Sequence, residues 1–257
     1  MKIFVINLER SQDRREFMCR QLDALGLSYE FFRATDASRG ELDGVSRYDE
    51  RLALRRLGHA LQPSEVGCFA SHYRLWQRCV ADDLPLVVME DDVQLEAGFA
   101  CAMTAATAIV DSHRFVRLCG LASRGYRDLG KLSDGHRLVR YLKGPRGTQC
   151  YALAPAGAQR LLQGAQRWFD AVDLYIDAFW LHGLASYAVL PFHVRHDMDH
   201  GPASLIGSGR WAARRPLLHK LRREATHLAY RLRRGLFNLR QLWRERQVAI
   251  AAHPAQR

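Results

Sequence analysis

Short, unbroken apolar runs in this chain alternate with longer stretches whose apolar residues recur every three or four positions. That is the pattern of strands buried on both faces alternating with amphipathic helices. The first run, Lys2–Leu8, is β-branched and aromatic and predicts a central strand. Ser11 stands where a helix cap belongs, Phe17, Met18, Leu22 and Leu25 form one inward face, and Gly26 supplies a stop. Leu27–Arg33 predicts the next strand, so the chain opens β-α-β. The polar stretch Ala34–Val45 reads as a surface loop. A second helix is expected from Ser64, with Cys68, His72, Leu75, Trp76 and Cys79 on one stripe, and it feeds the apolar run Leu86–Met89. Helix Glu96–Asp111 follows, then strands Arg114–Cys119 and Arg137–Leu142. The polar, glycine-containing segment Ala122–Gly135 between them is expected to be a lid. Strand Thr148–Leu153, a helix Ala156–Gly164 opened by Pro155, a helix Val172–His182 and a last strand Leu184–Leu190 complete the body.

From Pro216 the rhythm changes. Leu218, Leu221, Ala225, Leu228, Leu232, Leu236, Leu239 and Trp243 recur at helical spacing, with Arg and Lys on much of the remaining surface. This predicts a basic amphipathic helix, with Gly235 as a candidate break. The charge follows the same division. Residues 210–257 hold 13 Lys and Arg against two acids, Glu224 and Glu245, which accounts for the whole net charge of +11. Residues 1–209 balance at 25 basic and 25 acidic. The expected organisation is therefore a neutral body, 1–209, and a basic helical tail, 210–257, that meets something anionic. An anionic membrane surface fits an apolar stripe flanked by Arg. Nucleic acid has no use for that stripe, and a helix packed on the body or on a second chain could use it equally well.

The six cysteines are scattered, with no C-x-x-C pair and no histidine at zinc spacing. They suit small core residues of a reduced, cytoplasmic protein. The first apolar run is too short for a signal h-region, and no apolar run approaches membrane-span length.

The chemistry concentrates where the run Leu86–Met89 ends abruptly in Glu90, Asp91 and Asp92. Ligands of open α/β sheets sit beyond the carboxyl ends of strands, and buried charge must be paired or metal-bound. Three carboxylates there suit a hard cation, Mn²⁺ or Mg²⁺, or a nucleotide; the bland alternative is a solvated acidic turn. Asn7 and Arg10 stand at the carboxyl end of the first strand. Arg14 and Arg15 stand near the start of the following helix, where Arg can contact phosphate or simply form a surface basic cluster. His72 lies on the apolar stripe, as a pocket residue or as a satisfied core histidine; Trp76, Cys150 and Tyr151 read as core. His193, His196, Asp197, Asp199 and His200 form a dense polar cluster after the last strand.

Four segments taken together carry a resemblance. They are Val5-Ile6-Asn7-Leu8-Glu9-Arg10 with Asp13-Arg14-Arg15, Ser64-Glu65-Val66-Gly67-Cys68-Phe69-Ala70-Ser71-His72 with Trp76, Val88-Met89-Glu90-Asp91-Asp92-Val93, and Gly147-Thr148-Gln149-Cys150-Tyr151-Ala152-Leu153-Ala154-Pro155-Ala156-Gly157-Ala158 with Leu161-Leu162. In that order the chain resembles glycosyltransferase family 25 over roughly Lys2–Ile206, a family of bacterial lipooligosaccharide and animal collagen galactosyltransferases. The resemblance implies a GT-A-like nucleotide-sugar-binding mixed sheet flanked by helices. It also implies inverting transfer of a hexose, often from UDP-galactose, onto a glycan acceptor, and the basic amphipathic tail adds the expectation of docking on the cytoplasmic face of the cell membrane near a lipid-linked acceptor. It places Asn7, Leu8, Arg10, Arg14, Ser71, His72, Glu90 and Asp91 around the nucleotide sugar. Asp92, with Glu90, stands where GT-A enzymes hold their metal, although Glu90 replaces the first Asp of a strict Asp-x-Asp. The candidate general base is Asp173, with Asp177 one turn later; the bland reading of Asp173 is a helix cap. The rival classes are a metal-dependent phosphohydrolase or nuclease, and a non-catalytic membrane-binding adaptor.

Overall fold

The computed structural model describes residues 1–41, 45–196 and 217–252. Strand β1 (Lys2–Asn7), helix α1 (Gln12–Ala24) and strand β2 (Tyr29–Arg33) form the expected opening, and β1 pairs in parallel with β2. Helix α2 (Glu50–Arg56) and helix α3 (Pro63–Asp82) lead to β3 (Leu86–Glu90), which runs parallel to β1 on its other edge. Then come β4 (Val93–Leu95), α4 (Phe99–His113), β5 (Phe115–Arg117), β6 (Tyr126–Lys131), β7 (Arg137–Tyr141) and β8 (Cys150–Leu153). Helices α5 (Pro155–Gly164), α6 (Val172–Asp177) and α7 (Phe179–His182) precede β9 (Tyr187–Leu190), β10 (Val194–His196) and α8 (Leu217–Ala252). The main sheet has the order β2-β1-β3-β8-β5-β9-β7-β6.

The sheet is mixed rather than purely parallel: β8 is inserted antiparallel between β3 and β5. Its start therefore lies beside the end of β3, which brings Thr148 and Gln149 to Glu90. Alternation along β1 sorts the core into two layers. Phe4 and Ile6 face α3, α5 and α6, with Phe69, Trp76, Leu161 and Trp168. Ile3 and Val5 face α1 and α4, with Met18, Leu22, Phe99 and Met103. Trp76 and Leu75 are fully buried, as the apolar stripe of α3 requires. This is the layered mixed α/β architecture expected of a GT-A-like domain.

Several expectations are corrected. Segment 122–135 is not an open loop, because Tyr126–Lys131 pairs with β7 and forms the sheet edge. Residues 172–182 are two helices divided at Ala178, whose backbone leaves helical geometry. Ser11 makes no side-chain cap; its carbonyl instead accepts from Asn7 Nδ2 at 3.1 Å. Helix α3 starts one residue before Ser64, at Pro63, with Glu65 accepting the Gln62 N–H at 2.8 Å. Helix α8 runs through Gly235 without interruption. The polar stretch after β2 is not simply surface, since Thr35 and Asp36 are buried.

One face of α8 is tied to the body. The fully buried guanidinium of Arg140 on β7 donates to Glu245 at 2.5 Å and to Asn238 at 3.0 Å. Asn238 in turn donates to the Leu142 carbonyl at 2.9 Å. Phe237 packs on Phe179, and Tyr230 on Trp180. Leu228, Leu232, Leu236, Leu239 and Trp243 point outward, each more than half exposed. The side chains of Leu218 and Leu221 lie outside the described residues, as do positions 210–216. No helix among the described residues is long and apolar enough to cross a membrane.

Candidate active site

Parallel β1 and β3 end side by side, with Ile6 opposite Glu90, so Asn7 and the three acids emerge at one sheet edge. There the three acids line a cleft of about 360 Å³ with Leu8, Arg10, Arg14, Thr35, Asp36, Ser38, the first turn of α3 and His72, while Asn7 itself is buried. The three acids have different partners. Asp91 is tied into the wall: Asn7 Nδ2 donates to its Oδ2 at 2.7 Å and Arg14 Nη1 to its Oδ1 at 3.1 Å. Burial still pushes its carboxyl up. Glu90 accepts from Thr148 Oγ1 at 2.5 Å and faces His72 Nε2 at 3.4 Å. Burial opposes its ionisation, but the His72 and Thr148 contacts outweigh it and hold the carboxyl below the usual range.

Asp92 is the unsatisfied member. Its Oδ1 is buried without a hydrogen-bond partner, and its Oδ2 lies 3.7 Å from His196 Nδ1, itself buried and unbonded. Burial, then the charges of Glu90 and Asp91, push its carboxyl up to about 7. An idle buried carboxylate oxygen beside two more acids is what a divalent cation relieves, so Asp92 fits a metal, with Glu90 and His196 beside it. Asp91, with both oxygens taken, does not. Cys68, His72 and Glu90 also bring one ligand atom each within 4.8 Å of the others. Burial pushes the Cys68 thiol well above its usual value, and a thiol is a soft donor beside the carboxylates that a hard cation prefers.

His72 is oriented from behind. Trp76 Nε1 donates to the Tyr151 hydroxyl at 2.8 Å, and that hydroxyl lies 2.9 Å from His72 Nδ1. With Trp76 as donor, the Tyr151 proton goes to Nδ1. This tautomer, assigned from the network, leaves Nε2–H directed at Glu90. His72, Tyr151 and Trp76 are fully buried, as a core reading requires, and yet they position Glu90.

Ser71 lines the cleft with its hydroxyl already committed. It donates to the Gly67 carbonyl at 2.8 Å and accepts the Thr35 N–H at 2.9 Å, which joins α3 to the far wall. Arg10 pairs with Asp36 in that wall. Arg15 is turned away, its guanidinium 4.0 Å from the ring centroid of Phe31.

The two candidate bases differ. Asp173 sits in the first turn of α6 and accepts the N–H of Leu174 at 2.8 Å. Its side chain does not line the cleft of the three acids. Asp177 is taken up structurally: buried Arg117 donates to its Oδ1 at 2.5 Å and the Arg146 N–H to its Oδ2 at 2.9 Å. Burial pushes the Asp177 carboxyl up, against the nearby Arg117. His193 pairs with Glu96 at 3.2 Å, away from the acids. Asp197, Asp199 and His200 lie outside the described residues.

Sequence reasoning missed Thr35, Asp36 and Ser38, placed in the cleft by a polar turn, and Thr148, which the antiparallel insertion of β8 brings to Glu90; Tyr151 is core as expected, with its contact to His72 added. The preference of short polar residues for turns gave a loop there, but nothing local shows that this loop is buried.

Fold and cleft together define an open α/β sheet with a carboxylate-lined ligand site at its strand ends. The family profile "Glycosyltransferase family 25 (LPS biosynthesis protein)" matches residues 1–179, and the chain belongs to that family. It is 37% identical over 196 residues to a glycosyltransferase 25 family member of Anopheles gambiae, covering 73% of this chain and 26% of that protein. Identity to the lipooligosaccharide biosynthesis protein lic2B of Haemophilus influenzae is 35% over 94 residues, 36% of this chain and 34% of that one. The procollagen galactosyltransferase 1-B of Xenopus laevis is 35% identical over 107 residues, 38% of this chain and 17% of that one. The chain thus matches about a third or less of the length of each of these three relatives.

Proposed function

We propose that this chain is a glycosyltransferase that takes a hexose from a uridine diphosphate sugar, of which UDP-galactose is the first candidate, and passes it with inversion to a glycan or lipid-linked acceptor. The observation that carries the reading is the cleft at the ends of β1 and β3, where Asp92 keeps a buried, idle oxygen in a lining shared with two further carboxylates. Family membership supports it, as do the named roles of the relatives in lipooligosaccharide biosynthesis and galactosyl transfer.

The residues divide the work. Arg10 and Arg14, which line the cleft beside the acids, offset the charge of a diphosphate. Asp92, with Glu90 and His196, would hold Mn²⁺ or Mg²⁺. When bound, such an ion neutralises the diphosphate and stabilises the departing nucleotide. Thr148 and His72 fix the Glu90 carboxylate, so the charge facing the donor is set before it binds. Asp173 takes the proton of the acceptor hydroxyl as that oxygen attacks the anomeric carbon and the bond to the diphosphate breaks.

The outward leucine face of α8, flanked by arginines, is the side the enzyme lays on an anionic membrane at the cytoplasmic face, where a lipid-linked acceptor is presented. A thermal-shift panel of UDP-, GDP- and CMP-hexoses with and without Mn²⁺ tests the donor reading. UDP-hexose should raise the melting temperature most, and more with Mn²⁺. Phosphate release from a model ester, with no response to any nucleotide sugar, would move the assignment to a phosphohydrolase.

A further inference from the structure

A second cleft, of about 400 Å³, opens between the body and α8. We infer that it seats the anionic group, a phosphate or carboxylate, of the acceptor glycan, a proposal that rests on the transferase reading above. Its cationic wall is Lys143 and Arg146, from the turn after β7, and Arg231 and Arg234, from α8. None of these four side chains forms an ion pair among the described residues, although Asp170 and Asp177 share the lining. Asp177 already belongs to Arg117. Four unneutralised cations on two elements repel one another. Burial, then the charges of Arg124, Arg234, Arg146 and Arg231, lowers the ammonium pKa of Lys143. An anion seated among them removes that repulsion.

The other wall is aromatic. Phe169, Trp180 and Tyr230 line it, with Trp180 and Tyr230 rings 5.6 Å apart. Trp180 Nε1 is buried with no partner, a donor left available to a ligand oxygen. Aromatic faces beside a fixed N–H suit the apolar face and hydroxyls of a sugar, whereas a bare ion needs neither. The position suits an acceptor as well. Asp173, the proposed base, belongs to helix α6, whose Leu174, Tyr175 and Asp177 line this cleft. Helix α8 lies beyond residues 1–179, which carry the family match, so part of this wall comes from outside the matched region.

The test uses the full chain and tryptophan fluorescence, with glucose 6-phosphate, glucuronate, glucose and inorganic phosphate as probes and UDP titrated in parallel. Glucose 6-phosphate and glucuronate should bind at least about tenfold more tightly than glucose, and more weakly as salt rises. Glucose 6-phosphate should also bind more tightly than inorganic phosphate. The double variant Arg231→Ala/Arg234→Ala should lose about tenfold or more for the charged sugars and keep its UDP affinity. Lys143→Gln should do the same without touching α8, which guards against a displaced helix. Charged sugars binding no better than glucose, or inorganic phosphate binding as tightly as glucose 6-phosphate, would overturn the inference while UDP binding kept the transferase reading. Charged-sugar binding with no response to UDP would remove the transferase reading, and the acceptor assignment with it.

Discussion

Replacing Asp92 by Asn should make the metal-free protein more stable, and only above a definite pH. The Asp92 carboxyl is raised from an ordinary 3.8 to about 7 by burial and by Glu90 and Asp91. At low pH it is neutral in both the folded and unfolded chains and contributes nothing. Between about pH 4 and pH 7 the unfolded chain has released the proton and the folded chain has not, so stability falls as pH rises. Above pH 7 the folded protein carries the whole penalty, roughly three pK units or on the order of 4 kcal/mol. Asn keeps the shape and cannot ionise. Urea unfolding in excess chelator at pH 8 should therefore show Asp92→Asn stabilised by about 2–4 kcal/mol over wild type, shrinking below about 1 kcal/mol near pH 4. Mn²⁺ should close the gap at pH 8 by stabilising wild type alone. Equal stability at pH 8 in chelator, or a gap that persists unchanged to pH 4, would refute the reasoning.

Four further perturbations probe other parts of the account. Glu245→Ala should cost about 3–5 kcal/mol, since it strands the fully buried Arg140 guanidinium; urea unfolding and proteolytic release of α8 report it. Tyr151→Phe leaves Trp76 Nε1 and His72 Nδ1 without their partner, should cost about 1–3 kcal/mol, and should lower transfer by loosening Glu90, read by unfolding and by initial rates. Asp173→Asn should reduce acceptor-dependent transfer about a hundredfold or more with UDP-sugar affinity unchanged; normal transfer would send the assignment elsewhere. The full chain should sediment with anionic vesicles, less so as salt rises, and a chain ending at Gly209 should not; equal behaviour of the two would return α8 to a purely packing role.

The opening β-α-β unit was legible because Ile3, Phe4, Val5 and Ile6 are apolar on both faces and α1 and α3 repeat at helical spacing. Strand β6 was not, because its residues lie at an open edge and are mostly exposed, and an irregularity between Asp128 and Gly130 shifts its register. Strands β4 and β10 are three residues each, too short for any periodicity to show. In α8 the period was clear and the buried side was not. The leucines face outward, and the polar contacts with the body are made by Tyr230, Asn238 and Glu245 through Arg56 and Arg140, roughly 100 residues or more away in sequence, beside Phe237 packed on Phe179. The same limit applies at the site. Glu90, Asp91 and Asp92 announced themselves as acids after an apolar run. Which of them is spoken for depends on Asn7, Arg14, His72 and Thr148, and no local pattern links those residues to the acids.

The claim that the donor sits at the ends of β1 and β3 is tested most directly by hydrogen exchange on the full chain with and without UDP-galactose and Mn²⁺. The account expects protection at residues 7–14, 34–38, 62–72 and 90–93, all of it weakened in Asp92→Ala. Binding accompanied by protection confined to residues 143–146 and 226–234, with the strand ends unchanged, would contradict it.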